Sequence, residues 1–212
     1  MSSLDLELIS LPGRGRAESL RLMLIFASKQ FTDTRMTIQE WKLSRKKASL
    51  DEKTKLPVLI VDNGRKTIVG AVEIGRYIAL NFHLYGSSSS EQEEINQVIR
   101  QAEILNLELA PIIRTTLTKN YDLRREIWNE YKERTMNPIF EKWENELRKK
   151  TTMVGNKYTW ADICVVELLT RFQCCYDSFF LASWPALKNL VERFEDLPNV
   201  RPYLQTRPDT NF

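Results

Sequence analysis

The run Leu6-Glu7-Leu8-Ile9-Ser10-Leu11-Pro12-Gly13-Arg14-Gly15-Arg16-Ala17-Glu18-Ser19-Leu20 decides how this chain is read. Leu6 to Leu11 is a short strand-like stretch, and Pro12-Gly13 ends it with turn chemistry. From Ala17 to Ser28 the apolar residues change to helical spacing, with Leu20, Met23, Leu24 and Ala27 on one face. A strand feeding directly into a helix opens an α/β unit.

Phe31 to Thr37 reads as a second strand. Val58 to Asp62, the turn Asp62-Asn63-Gly64 and Thr67 to Val69 form a hairpin, and a helix from Ala71 to Asn81 closes the segment. The order βαβ followed by ββα predicts a small sheet with helices packed on it, over residues 1–82. After His83 the pattern changes. Residues 83–90 form a linker ending in four serines, and Ser90-x-x-Glu93 is a capping box that opens a long helix. Residues 91–212 then read as all-helical. Met136, Phe140, Trp143 and Leu147 line one face of a helix spanning 123–149. Thr159-x-x-Asp162 caps the apolar run Ile163 to Leu169, and shorter helices follow Pro185 and cover Val200 to Gln205.

Composition narrows the function. Of 212 residues, 42% are apolar and 28% charged, so the chain can bury a core. The net charge of +3 is too balanced to suggest a nucleic-acid partner. No apolar run approaches the ~20 residues of a membrane span, and MSSLDLELISL lacks the basic start of a signal peptide. Cys164, Cys174 and Cys175 are odd in number and clustered, which fits a reducing, cytoplasmic setting better than a disulfide framework. With His83 as the single histidine, a His-based triad and a zinc site both lack partners. No metal is expected.

Four further segments carry a resemblance. Gly13-Arg14-Gly15-Arg16-Ala17-Glu18 joins the first strand to the first helix, and Leu56-Pro57-Val58-Leu59 opens the third strand. Val154-Gly155-Asn156-Lys157-Tyr158-Thr159-Trp160-Ala161-Asp162 begins the buried helix, and Arg207-Pro208-Asp209-Thr210-Asn211-Phe212 ends the chain. Together, from about Leu4 to Phe212, they resemble the glutathione S-transferases. The resemblance is to the sigma class, the branch of prostaglandin D synthase and the S-crystallins. It implies a thioredoxin-like N-terminal domain, an all-α C-terminal domain, glutathione as co-substrate and a homodimer.

The resemblance also assigns a site. Pro57 takes the place of the family's cis-proline, and Leu56 would grip the cysteinyl part of glutathione through its main chain. Arg16 matches the arginine of the first helix that braces the family's site, and the Leu11 backbone adjoins Ser10. Trp41, Arg45 and Lys55 match anchors near the glycine end, although the charge run from Lys42 to Lys55 is also the composition of a solvated loop. Two positions depart from the pattern. Where the sigma class carries a tyrosine that donates to the thiolate, five residues before Gly15, this chain has Ser10, and no tyrosine precedes Tyr77. Ser10 is either a substitute donor or an ordinary polar strand end. Where the family has Gln-Ser to receive the γ-glutamyl carboxylate, this chain has Gly70-Ala71, with Glu73 adding a like charge in the first helical turn. The acid that the family sends across its dimer falls near Glu103-Ile104. These departures predict a weakened glutathione site. The readings are a transferase conjugating small electrophiles, or a non-catalytic relative that binds hydrophobic ligands or serves a structural role.

Overall fold

The structure is a computed structural model that describes residues 4–47 and 50–210. It divides into two compact units: residues 4–85 with 194–210, and residues 86–193.

The first unit is built on four strands, β1 (Leu6–Ser10), β2 (Thr32–Arg35), β3 (Val58–Val61) and β4 (Lys66–Val69), in the order β2-β1-β3-β4. β1 and β2 are parallel, and β1 with β3 and β3 with β4 antiparallel. The uninterrupted apolar run of β3 suits an interior strand, whereas β4 lies at the edge with mostly exposed side chains. Asp62, Asn63 and Gly64 all take positive φ in the hairpin turn, as that trio predicts. Helix α1 (Glu18–Phe26) is preceded by a short 3-10 turn and packs against α3 (Ala71–Asn81).

One helix was not expected. Ile38–Lys47 forms α2, where the charge run suggested a loop. The cause is a local cap: Thr37 donates its amide to the Glu40 carboxylate at 2.7 Å, and the Glu40 amide returns to the Thr37 hydroxyl at 3.2 Å. Trp41 is the buried anchor of this helix, packing with Ile9 and Val58.

The second unit is helical: α4 (Ser89–Glu108), α5 (Ala110–Leu117), α6 (Tyr121–Tyr131), α7 (Asn137–Leu147), α8 (Trp160–Cys175) and most of α9 (Pro185–Glu195). The α4 cap lies two residues earlier than the Ser90/Glu93 pair. Ser88 accepts from the Glu91 amide at 3.2 Å, and the Glu91 carboxylate accepts from the Ser87 amide at 2.6 Å. Glu93 pairs instead with Arg100 at 2.7 Å. The single helix expected over 123–149 is two, joined by a π-helical turn at Lys132–Met136. Pro138 explains the break, because it has no N–H to continue the α-helical ladder. The expected apolar face holds across the break: Met136, Phe140, Trp143 and Leu147 are all buried. Asp162 caps α8 as expected, accepting from the Thr159 amide at 2.8 Å and hydroxyl at 2.9 Å.

The C-terminal segment differs from the expected division of the chain. Helix α10 (Arg201–Thr206) and its tail pack with the first unit, not with the other helices. Side-chain bonds hold them there. Asn199 donates to the Phe26 carbonyl at 2.8 Å, and Tyr203 and Arg207 both bind Glu18.

Candidate functional site

A cavity of about 680 Å³ opens in the first unit at the end of β1. Ser10 and Leu11 supply the strand end, residues 13–17 the loop entering α1, and Leu56 and Pro57 the start of β3; Thr210 adds the C-terminal tail. Of the residues chosen from sequence, Ser10, Leu11, Arg16, Leu56 and Pro57 therefore meet around one space. The Leu56–Pro57 bond is cis.

Ser10 is almost fully buried, yet it lines this cavity. Its hydroxyl donates to the Leu11 carbonyl at 3.1 Å and accepts a hydrogen bond from Arg21 Nη2. Arg21 is completely buried, on the face of α1 turned to the sheet. Its Nε reaches both Asp33 oxygens at 3.0 and 3.1 Å, and its Nη1 reaches Glu18 at 3.0 Å. Glu18, equally buried, accepts from Tyr203 and Arg207. Asp33 also takes Arg35 Nε at 2.8 Å. A charged hydrogen-bond network thus runs from the C-terminal helix, under the loop of residues 13–17, to the Ser10 hydroxyl. Burial pushes the Tyr203 phenol well above its ordinary range, and the neighbouring Glu18 carboxylate adds to that shift. Tyr203 therefore enters as a neutral donor.

The remaining sequence-chosen residues are not among those lining the cavity. Trp41 Nε1 and Arg45 Nη1 both donate to the Thr54 carbonyl, at 3.2 and 3.3 Å, so both brace the loop before β3. Lys55 is exposed beside Leu56. Gly70 caps α3 at φ +95°, and its amide donates to the Pro57 carbonyl at 3.0 Å, which sets the α3 N-terminus next to the start of β3. Neither Gly70 nor Ala71 offers a side-chain donor, and Glu73 is exposed in the first turn of the helix. In the second unit, Ile104 is exposed on α4 with Glu103 beside it. Tyr77, the first tyrosine of the chain, lies on α3 with Lys66 above its ring at 4.6 Å.

Sequence reasoning missed Arg14, Arg21, Glu18, Tyr203 and Thr210 as parts of this region. Arg14 and Glu18 stood inside a quoted motif, so a signal existed for them. Arg21 and Tyr203 had none, because their roles depend on partners far along the chain. Among the described residues no group of three or more metal-binding side chains gathers, and no helix is long and apolar enough to cross a membrane.

Comparison with known proteins agrees with this architecture. The family described as "Glutathione S-transferase, C-terminal domain" matches residues 109–207. The chain is 27% identical over 216 residues to a class-mu 28 kDa glutathione S-transferase of Schistosoma mansoni, covering all of both chains. It is 25% identical to glutathione S-transferase 1 of Ascaris suum, covering 94% of this chain and 95% of that one. Among solved structures, a monomeric glutathione S-transferase of the hookworm Necator americanus superposes with a TM-score of 0.86 at 24% identity, over 98% of this chain and 100% of the other. Rat hPGDS in complex with a quinoline gives 0.83 at 24% identity, with the same coverage.

Proposed function

We propose that this chain belongs to the glutathione transferase family, and that it binds glutathione beside Ser10 and conjugates it slowly to small electrophiles. The observation that carries this reading is the Ser10 hydroxyl itself, in the cavity wall at the strand end where the sigma class has its tyrosine. The thiol of glutathione loses its proton to solvent. The Ser10 O–H turns from the Leu11 carbonyl to the thiolate, and the sulfur lone pair forms the S–C bond as the leaving group departs with its electrons. The Leu56 main chain pairs with the cysteinyl unit, and Arg16 and Lys55 attract the carboxylates. A serine is shorter and less acidic than a tyrosine, which slows the step.

The γ-glutamyl end is the weak point. With Gly70-Ala71 at the start of α3, only backbone amides are left to receive its carboxylate, and Glu73 opposes it in the same turn. We place the protein in the sigma-like branch, as a cytoplasmic homodimer. A light-scattering mass in solution tests the dimer, since the hookworm relative is described as monomeric.

A second reading, a non-catalytic protein that binds hydrophobic ligands or serves a structural role, is favoured by the shared use of the Thr54 carbonyl. Trp41 and Arg45 are both committed to it rather than held out for a ligand. Calorimetry with glutathione and a conjugation assay with an activated aryl halide separate the two. Weak binding heat with slow turnover, cut at least about tenfold by Ser10→Ala as one charge-assisted hydrogen bond is worth, supports the transferase. Neither heat nor turnover leaves the second reading. Ala71→Ser should tighten glutathione several-fold by restoring a hydroxyl donor.

A further inference from the structure

We propose that Arg21 is the positioning residue of this site: its buried guanidinium holds and polarises Ser10, so that position 10 stabilises an anion at the cavity wall. The inference rests on the reading of Ser10 as the sulfur's neighbour. It begins from an asymmetry of hydrogen-bond chemistry. A guanidinium only donates, so Ser10 Oγ must act as acceptor toward Arg21. The hydroxyl proton is then the one group Ser10 can give away. In the structure it goes to the Leu11 carbonyl, and an incoming thiolate competes for it. Accepting from a cation draws electron density from the oxygen and strengthens it as a donor.

The guanidinium is locked for this task. Its Nε faces both Asp33 oxygens and its Nη1 faces Glu18, which leaves Nη2 aimed at Ser10. The charges around it decide the sign of the local field. Three guanidinia, Arg21, Arg35 and Arg207, meet two carboxylates, Glu18 and Asp33. Tyr203 joins as a neutral phenol, so the set carries one net positive charge. Arg14 and Arg16 of the neighbouring loop line the same cavity. Arg21 thus does more than fill the core: it carries positive potential to the strand end through a low-dielectric region.

The test places a titratable reporter at the site and needs no glutathione. In the full-length protein, Ser10→Cys puts a thiol against Arg21, and its ionisation is followed by thiolate absorbance and alkylation rate. These are read as the difference from the parent, which has three other cysteines. The expected midpoint lies at least about one pH unit below the ordinary ~8.5 of a cysteine. Adding Arg21→Gln should raise it again by about one unit. Should that double variant fail to fold by circular dichroism, two milder changes in the Ser10→Cys background carry the same test with opposite signs. Asp33→Asn removes a negative charge and lowers the midpoint further; Arg207→Gln removes a positive one and raises it. A midpoint that is not depressed, or that ignores these charges, overturns the role of Arg21. Depressed midpoints in a protein that binds no glutathione would leave Arg21 in place and discard the transferase reading instead. With serine restored, Arg21→Gln should move the acid limb of the conjugation pH profile upward, whereas a purely structural loss lowers the rate equally at every pH.

Discussion

Tyr203 donates its phenol to the Glu18 carboxylate, lying 3.0 Å from each oxygen, and so joins the first turn of α1 to the C-terminal helix across 185 residues of chain. Glu18 is 1% exposed, so its charge depends on these partners. Tyr203→Phe keeps the ring and removes the donor. The expected loss is about 1.5–3 kcal/mol, the range for a hydrogen bond to a charged group. Urea unfolding measures it, and a change under about 0.5 kcal/mol would show that Arg207 and Arg21 alone satisfy the carboxylate.

Glu144 makes a comparable bond within the second unit. From α7 its carboxylate accepts the Ala186 amide with both oxygens at 3.0 Å, and the Leu187 amide at 3.0 Å. It therefore caps α9 from a different helix, satisfying amides that have no partner within α9 itself. Glu144→Ala should cost about 2 kcal/mol. Hydrogen exchange should localise the loss to faster exchange at Ala186 and Leu187; uniform protection there would contradict the cap.

Asp162 gives a dependence on pH. Burial pushes its carboxyl up to about 6, although the Met153 amide at 2.6 Å and the Thr159 amide and hydroxyl all favour the carboxylate. An unfolded aspartate titrates near roughly 3.9. The folded chain thus binds this proton more tightly, so its stabilising contribution is complete below about pH 4 and disappears as pH rises through 6. The stability gap between the native protein and Asp162→Asn should therefore shrink by about 2–3 kcal/mol between pH 4 and pH 7. Urea midpoints across that range test it, and a gap that widens toward neutrality contradicts the assignment.

Gly70 bears on any attempt to rebuild the family's pattern. It sits at φ +95° and ψ 142°, backbone that L-residues rarely adopt, although a Cβ there would meet nothing within 4 Å. Gly70→Gln is therefore a conformational cost without a clash, about 1–3 kcal/mol. Ala71→Ser, at the first position of α3, carries no such cost. Thermal unfolding of the two single variants should separate them, and equal melting temperatures would refute the strain argument.

Where the sequence sufficed, the deciding interactions were short in range. Thr159 and Asp162 cap α8 because their partners lie three residues apart, and Asp62-Asn63-Gly64 turns because those residues tolerate positive φ. Helix α2 was equally local, with its signal at Thr37 and Glu40, but the lysine and arginine run obscured it. The break at the π turn followed from Pro138, a residue visible in the sequence and outweighed there by the apolar spacing.

The site was half legible. The resemblance named Ser10, Leu11, Arg16, Leu56 and Pro57, and these five line one cavity because a strand end, a loop and a neighbouring strand of one small sheet meet there. It could not show that Trp41 and Arg45 would share the Thr54 carbonyl, which depends on how the loop before β3 folds back on α2.

The amino-acid order by itself determined the strands, the hairpin turn, the cap of α8 and the position of a serine at the end of β1, while the resemblance supplied the cis-proline. Only the tertiary structure decided what that serine touches. Caps and turns are closed by neighbours a few residues apart, so their energies are written in local spacing. The direction of the Arg21 guanidinium is set by Asp33 on another strand and by Glu18, itself fastened from Tyr203 and Arg207. Such charges find one another only after the chain has closed around them, where burial leaves each no partner in water.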